Sequence, residues 1–217
     1  MTDRRAAKRV HGFSSDAPTS QNITEDTAQT LLEIIRKASI AGITWIQIRE
    51  KDLETRGLFD LARRAVAATR GTKTKILIND RLDVALATGA AGVHLGETSL
   101  PVETVVEWRR AAGRTEFEIG ASCHTLEAAR SAEAAGADHI FFGPVFATPS
   151  KAAFGEPQGI ERLRSVCQAV KIPVLAIGGI TVENAALCFA AGGAGLAAIR
   201  LFQESDDISA VVKSLRN

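Results

Sequence analysis

Lys75-Ile-Leu-Ile-Asn-Asp80 is an unbroken apolar run that ends abruptly on an amide and a carboxylate. A strand with one wet face would alternate polar and apolar residues, so this run reads as a strand buried on both faces, as in a parallel sheet. The same figure recurs in Thr44–Arg49 (TWIQIR), Gly92–Gly96 (GVHLG), Phe117–Ser122 (FEIGAS), His139–Phe146 (HIFFGPVF), Pro173–Gly179 (PVLAIGG) and Gly195–Arg200 (GLAAIR). Between these runs lie stretches with helical apolar spacing: Glu25–Ala41, Glu54–Thr69, Val102–Ala112, Thr125–Ala135, Gly159–Ala169 and Val182–Ala191. Gly42, Gly71, Gly113, Gly136 and Gly192 follow several of them as helix stops. Alternation of strand and helix predicts βαβ units and a parallel sheet.

The runs number seven, where a (β/α)₈ barrel needs eight and a doubly wound sheet can use seven. The strand ends separate the two. Polar and glycine residues gather where each run closes: Arg49-Glu50-Lys51, Asn79-Asp80-Arg81, His94 to Ser99, Ser122-Cys123-His124, Thr148 to Lys151, Gly178-Gly179 and Arg200. A TIM barrel carries its site on that rim, whereas an open sheet concentrates its site at one switch point. The expected fold is therefore α/β, a (β/α)₈ TIM barrel of which the chain shows seven strands. It forms one domain over residues 1–217, opening with a polar segment over residues 1–24.

Composition fits that size and narrows the function. The chain has 217 residues, 46% hydrophobic and 24% charged, with 18 Gly and 6 Pro, which excludes a disordered tail, a collagen and a disulfide miniprotein. A net charge of +1 gives no basic face for nucleic acid or an anionic membrane, so any anion must be held by a local site. The chain lacks tyrosine and has only 5% aromatic residues, which argues against a base-stacking platform. Cys123, Cys167 and Cys188 lie far apart without metal-ligand spacing, which suits a reducing, cytoplasmic setting. The basic N-terminus lacks an apolar segment after it, and no run is long enough to span a membrane.

The candidate chemistry lies on the rim. Ala176-Ile-Gly-Gly-Ile180 stands where late barrel loops cup a phosphate with backbone N–H groups and a helix N-terminus. Ala147–Gly159, rich in small residues and Pro, has the makings of a mobile lid carrying Lys151; the plain alternative is a solvated connector. Arg49 and Lys51 add positive charge. Asp80 is the best carboxylate for Mg²⁺, which prefers oxygen ligands shared with substrate phosphates; the competing reading makes Asp80 the N-cap of the next helix. His124 is either an acid–base group or a cap for the helix at Thr125. His94, inside a strand, reads as a packed residue, and His11 and His139 as structural.

Taken in order, Gln47-Ile-Arg-Glu-Lys51, Ile78-Asn-Asp-Arg81, Gly92-Val-His-Leu-Gly96, Gly120-Ala-Ser122, Gly143-Pro-Val-Phe-Ala-Thr-Pro-Ser-Lys151, Gln158-Gly159 and Ala176-Ile-Gly-Gly-Ile180 resemble the successive motifs of the thiamine phosphate synthase and TenI family. The likeness runs from about Thr44 to Phe202. It implies a (β/α)₈ barrel that joins a pyrimidine diphosphate to a thiazole phosphate. Pyrophosphate leaves first, and the thiazole nitrogen captures the pyrimidine methylene cation. By that resemblance Gln47, Arg49, Lys51 and Asn79 contact the pyrimidine diphosphate, and Asp80 holds Mg²⁺. Ser122 faces the pyrimidine, Thr148 and Ser150 touch the thiazole phosphate, and Lys151 meets the pyrophosphate. Gly178, Gly179 and the Ala198-Ile199 backbone cup the thiazole phosphate. The partners implied are these small molecules; the sequence leaves the oligomeric state open, a homo-oligomer among the alternatives, and its charge and composition point to neither nucleic acid nor membrane.

The chain departs from the family pattern in three places. Ser99 stands where the family carries a second metal-binding Asp, which weakens Mg²⁺ capture and allows an impaired enzyme. Arg200 replaces a Ser near the phosphate cup, either gripping the phosphate or blocking it. Met1-Thr-Asp-Arg4 matches the end of the family's first strand, so that strand is expected to be absent and a sheet edge open. Two alternatives follow: a metal-independent TenI-like thiazole tautomerase, with His124 as its proton carrier, and a non-catalytic barrel that binds thiazole or thiamine phosphate.

Overall fold

A computed structural model describes residues 23–148 and 156–216. It is an α/β chain whose described residues include seven strands alternating with helices. Two compact units divide it: one extends to Val93 and resumes at Ile199, and the other comprises His94–Ala198.

The first unit contains α1 (Glu25–Ile40), β1 (Trp45–Ile48), α2 (Thr55–Ala68), β2 (Lys75–Asn79), α3 (Leu82–Thr88) and the start of β3 (Gly92–Leu95). The returning chain adds α8 (Arg200–Gln203) and α9 (Ile208–Arg216). Thr24 caps α1 by accepting from the Thr27 amide at 3.3 Å, one of the orphan donors of a helix start. Leu31 and Ile35 of α1 and Leu61, Ala62 and Ala65 of α2 are buried; each fully buried Leu or Ile contributes roughly 1.5–3 kcal/mol. Strands β1 and β2 are parallel, with Trp45 opposite Lys75 and Ile48 opposite Ile78. Gln47 therefore emerges on the face that carries Leu77 and, two residues on, Asn79. Arg216 ties α9 back to the end of α1 by donating to the Gly42 carbonyl at 2.6 Å.

The second unit takes up β3 at His94 and continues with α4 (Val102–Ala111), β4 (Glu118–Cys123), α5 (Leu126–Ala134), β5 (His139–Phe142) and α6 (Gly159–Ala169). It ends with β6 (Val174–Ile177), α7 (Val182–Ala190) and β7 (Gly195–Ala197). Strands β4 to β7 pair in parallel, with Gly120 opposite His139, Ile140 opposite Val174 and Leu175 opposite Gly195. The two-residue period puts Ile119, Ala121, Cys123, Ile140 and Phe142 on one face. Gly120, Ser122, His139 and Phe141 share the other.

An ionic clamp closes the N-terminal ends of these strands. Asp138 Oδ2 accepts from the Ile119 amide at 2.7 Å and from Arg109 Nη1 at 2.6 Å. The same guanidinium donates to the Phe117 carbonyl at 3.1 Å. Replacing Asp138 by Ala strands a backbone N–H and a largely buried cation, so we expect a loss of about 1.5–3 kcal/mol, read as a lower urea midpoint at unchanged slope.

All seven anticipated strands are present, six of them shortened and β4 shifted one residue on to Cys123, and so are the six anticipated helices. Helices α8 and α9 were not anticipated, and α3 was anticipated only through the alternative reading of Asp80 as the cap of a following helix. The N-cap of α3 is Arg81, which corrects the reading of Asp80 as that cap. The cap of α5 is Thr125, whose hydroxyl accepts from the Ala128 amide at 3.1 Å, so His124 does not cap it. No helix among the described residues is long and apolar enough to cross a membrane.

Candidate active site

In the first unit three expected residues join in one hydrogen-bonded chain. Gln47, 2% exposed on β1, donates from Nε2 to Asn79 Oδ1 at 2.8 Å. Asn79 donates in turn from Nδ2 to Asp80 Oδ2 at 2.6 Å. The carbonyl of Gln47, Oε1, is buried without a hydrogen-bond partner among the described residues. A buried acceptor left unsatisfied costs about 1–3 kcal/mol, so it is disposed to receive a donor from a ligand.

The turn that presents Asp80 is strained. Asp80 has a φ of 61°, the one left-handed non-glycine backbone among the described residues. The Arg81 amide donates to the Asn79 carbonyl at 2.7 Å, and the Leu82 amide donates to that of Asp80 at 3.2 Å. Such strain collects at functional positions and is held by its surroundings. Arg81 is committed to Asp83, to which it donates at 2.9 and 2.6 Å. That guanidinium holds the Asp83 carboxyl below its ordinary range, so the cation next to Asp80 in sequence is engaged on α3. Arg49 is half-buried and Lys51 exposed just past β1. Ile199 is half-buried as the N-cap of α8, and Arg200 is exposed on its first residue.

The second unit holds the other group. Ser122, near the end of β4, lies with its Oγ 2.9 Å from His94 Nε2. Sequence reasoning took His94 for packing alone; the strand alternation of β3 was the available signal that His94 and Ser122 could share a face. Ser99 Oγ accepts from the Gly96 amide at 2.6 Å, so this hydroxyl shapes the turn after β3. Thr148 and Ala198 are half-buried.

Gly178 and Gly179 follow β6, where the chain after β5 runs alongside. The Val145 amide donates to the Ile177 carbonyl at 2.8 Å, and the Phe146 amide donates to that of Gly178 at 3.0 Å. A Cβ on Gly178 would stand 2.5 Å from Pro144 Cβ, and one on Gly179 2.6 Å from the Ala147 carbonyl oxygen. This close approach by itself requires the glycine pair. Beyond it α7 opens with a capping box, in which Asn184 Oδ1 accepts from the Thr181 amide at 2.9 Å. Asn184 Nδ2 also donates to the Gly179 carbonyl at 2.9 Å, fixing the loop to the helix start.

His124 stands apart from Ser122. Its Nδ1 contacts the Gly143 carbonyl; a carbonyl only accepts, so Nδ1 carries the proton. The ring lines a cavity of about 330 Å³ with Phe142, Gln158 and Arg162, a lining that does not include Ser122. Ser150 and Lys151 lie outside the described residues.

Among the described residues no group of three or more His, Cys, Asp or Glu side chains gathers to hold a metal. Asp80 offers one carboxylate of the right hardness, and a Mg²⁺ ion is commonly bound through one or two carboxylates plus substrate phosphates. The donor set thus fits Mg²⁺ in the form that a bound diphosphate completes.

Residues 20–202 match the family model described as thiamine monophosphate synthase. The chain is 42% identical over 185 residues to a thiamine-phosphate synthase of Moorella thermoacetica, covering 85% of this chain and 86% of the relative. It is 45% identical over 184 residues to one of Methanoregula boonei, covering 85% and 83%. Among solved structures, a thiamine phosphate pyrophosphorylase from Pyrococcus furiosus superposes with a TM-score of 0.75 at 36% identity, covering 85% of this chain and 87% of that one.

Proposed function

The chain belongs to the thiamine monophosphate synthase family, and on that premise we propose that it is a transferase joining a 4-amino-2-methylpyrimidine methyl diphosphate to a thiazole phosphate, with release of pyrophosphate. We read its α/β fold as a single (β/α)₈ barrel domain whose seven strands are the second to the eighth. The observation that carries the functional reading is the Gln47–Asn79–Asp80 chain, which ends in a strained carboxylate at the close of a strand.

The reaction breaks the bond between the pyrimidine methylene carbon and the diphosphate oxygen, and the electron pair leaves with pyrophosphate. The thiazole nitrogen lone pair then forms the C–N bond and gives the thiazolium. Gln47 and Asn79 orient the pyrimidine, and the buried Gln47 carbonyl accepts from its amino group. Arg49, Lys51 and Lys151 neutralise the charge that develops on the departing diphosphate, the largest electrostatic demand of the reaction. Asp80 would hold Mg²⁺, which supplies charge stabilisation to the leaving group when bound. Thr148, Ser150, Gly178, Gly179, Ala198 and Ile199 hold the thiazole phosphate, with Arg200 as an added cation. The cationic intermediate is consumed by water, so the reaction needs solvent kept from it.

The tautomerase reading needs a proton carrier at the reacting ring. The only candidate it had, His124, is held by the Gly143 carbonyl and lines a cavity that does not include Ser122, so the transferase reading is favoured. With both substrates and Mg²⁺ we expect steady pyrophosphate release that falls at least about 100-fold in Lys151→Ala, the scale of losing one charge-stabilising group. Proton exchange on the thiazole without pyrophosphate release would overturn the assignment.

A further inference from the structure

Inside the second unit two imidazoles meet over a glycine. His94 of β3 and His139 of β5 are each 1% exposed. A Cβ on Gly120 would stand 2.6 Å from His94 Nδ1 and 2.3 Å from His139 Nε2, closer than real Cβ atoms come. Only a hydrogen fits there, so Gly120 is the residue that lets both rings lie against β4. The His94 ring also packs on Phe141, with centroids 4.2 Å apart and planes 36° from parallel. Held by Gly120, His139 and Phe141, it brings Nε2 to 2.9 Å from Ser122 Oγ.

A leucine would fill a strand interior without polar atoms to satisfy, so an imidazole buried to this degree is poorly explained by packing alone. What it adds is direction. A serine hydroxyl has staggered rotamers and a freely turning proton. A hydrogen bond to a locked ring selects one rotamer and decides whether the hydroxyl presents its proton or its lone pairs to a ligand. Burial holds His139 below the ordinary histidine range, opposed by the charges of Glu118 and Asp138. A neutral His139 places no like charge against His94.

We propose that His94 is a positioning residue for Ser122, and that Gly120 and His139 form the seat that fixes it. The proposal rests on the reading of Ser122 as facing the pyrimidine. A hydroxyl aimed in advance favours the reacting geometry without reorganisation in the transition state.

A double-mutant cycle on the full chain tests this. His94→Leu is expected to lower kcat by about 10-fold to 100-fold while the KM for the pyrimidine diphosphate stays within about threefold. His94→Gln, which can place an amide near the Nε2 position, recovers part of that loss. In a Ser122→Ala background His94→Leu costs nothing further, because the group it positions is gone. An equal loss from His94→Leu with and without Ser122 would overturn the proposal. Where His94→Leu does not fold, as read by near-UV circular dichroism, His94→Gln completes the same cycle. Absence of pyrophosphate release by the unmodified chain would sink the proposed function instead. The positioning role acts on that reaction and falls with it.

Discussion

Asp80→Asn is expected to lower pyrophosphate release by at least about 100-fold and to leave folding stability within about 0.5 kcal/mol of the parent. The change removes a charge and almost no volume. Asparagine tolerates the left-handed backbone that Asp80 adopts at a φ of 61°, and its oxygen can still accept from Asn79 Nδ2. The activity loss therefore reports on the carboxylate, the one hard anionic donor that the Gln47–Asn79 chain steadies. Asp80→Ala would confuse the result, since alanine pays about 1–2 kcal/mol at that backbone angle. An Asp80→Asn variant that turns over like the parent and keeps its Mg²⁺ dependence would remove Asp80 from the mechanism.

Gly178→Ala is expected to destabilise the fold strongly, by about 2–5 kcal/mol. It combines a left-handed penalty of about 1–2 kcal/mol with overpacking of about 1–3 kcal/mol. The φ of Gly178 is 94°, and its added methyl would sit 2.5 Å from Pro144 Cβ and 2.6 Å from Pro144 Cα. Gly113 is the matched comparison: its φ is 62°, but nothing stands within 4 Å of its would-be Cβ. Gly113→Ala should lose only the backbone penalty, about 1 kcal/mol. Urea unfolding of the two variants separates crowding from strain, and equal losses would show that the Pro144 contact carries no weight.

The strands were legible because each is an apolar run closed by polar residues, a pattern that burial on both faces enforces. Helix α3 was legible only as the helix that Asp80 could cap, without bounds, and for a local reason. It has seven residues and starts straight from the turn at Asp80, so it lacks both length and a Ser or Thr cap. The Asn79-Asp80 pair could be found from its strand-end position, but the left-handed turn that makes Arg81 the cap depends on the backbone around it. The glycine pair at Gly178 and Gly179 stood out in the sequence for a phosphate. Its first requirement turned out to be the passage of Pro144 and Phe146, a contact between segments far apart in the chain. His94 was misjudged for the same kind of reason: its partners Ser122, Gly120 and His139 lie on two other strands, and only the register brings them to one face. His124 looked reactive beside Ser122 in sequence, yet after β4 the chain turns its ring to the Gly143 carbonyl.

The most direct test is to quantify both products in one reaction with the pyrimidine diphosphate, the thiazole phosphate and Mg²⁺. A transferase of the proposed kind forms thiamine phosphate and pyrophosphate in equal amounts, and forms neither when the thiazole phosphate is replaced by its unphosphorylated alcohol at the same concentration. Pyrophosphate without the coupled thiazolium product, or a thiazole altered only in the position of its protons, would contradict the account.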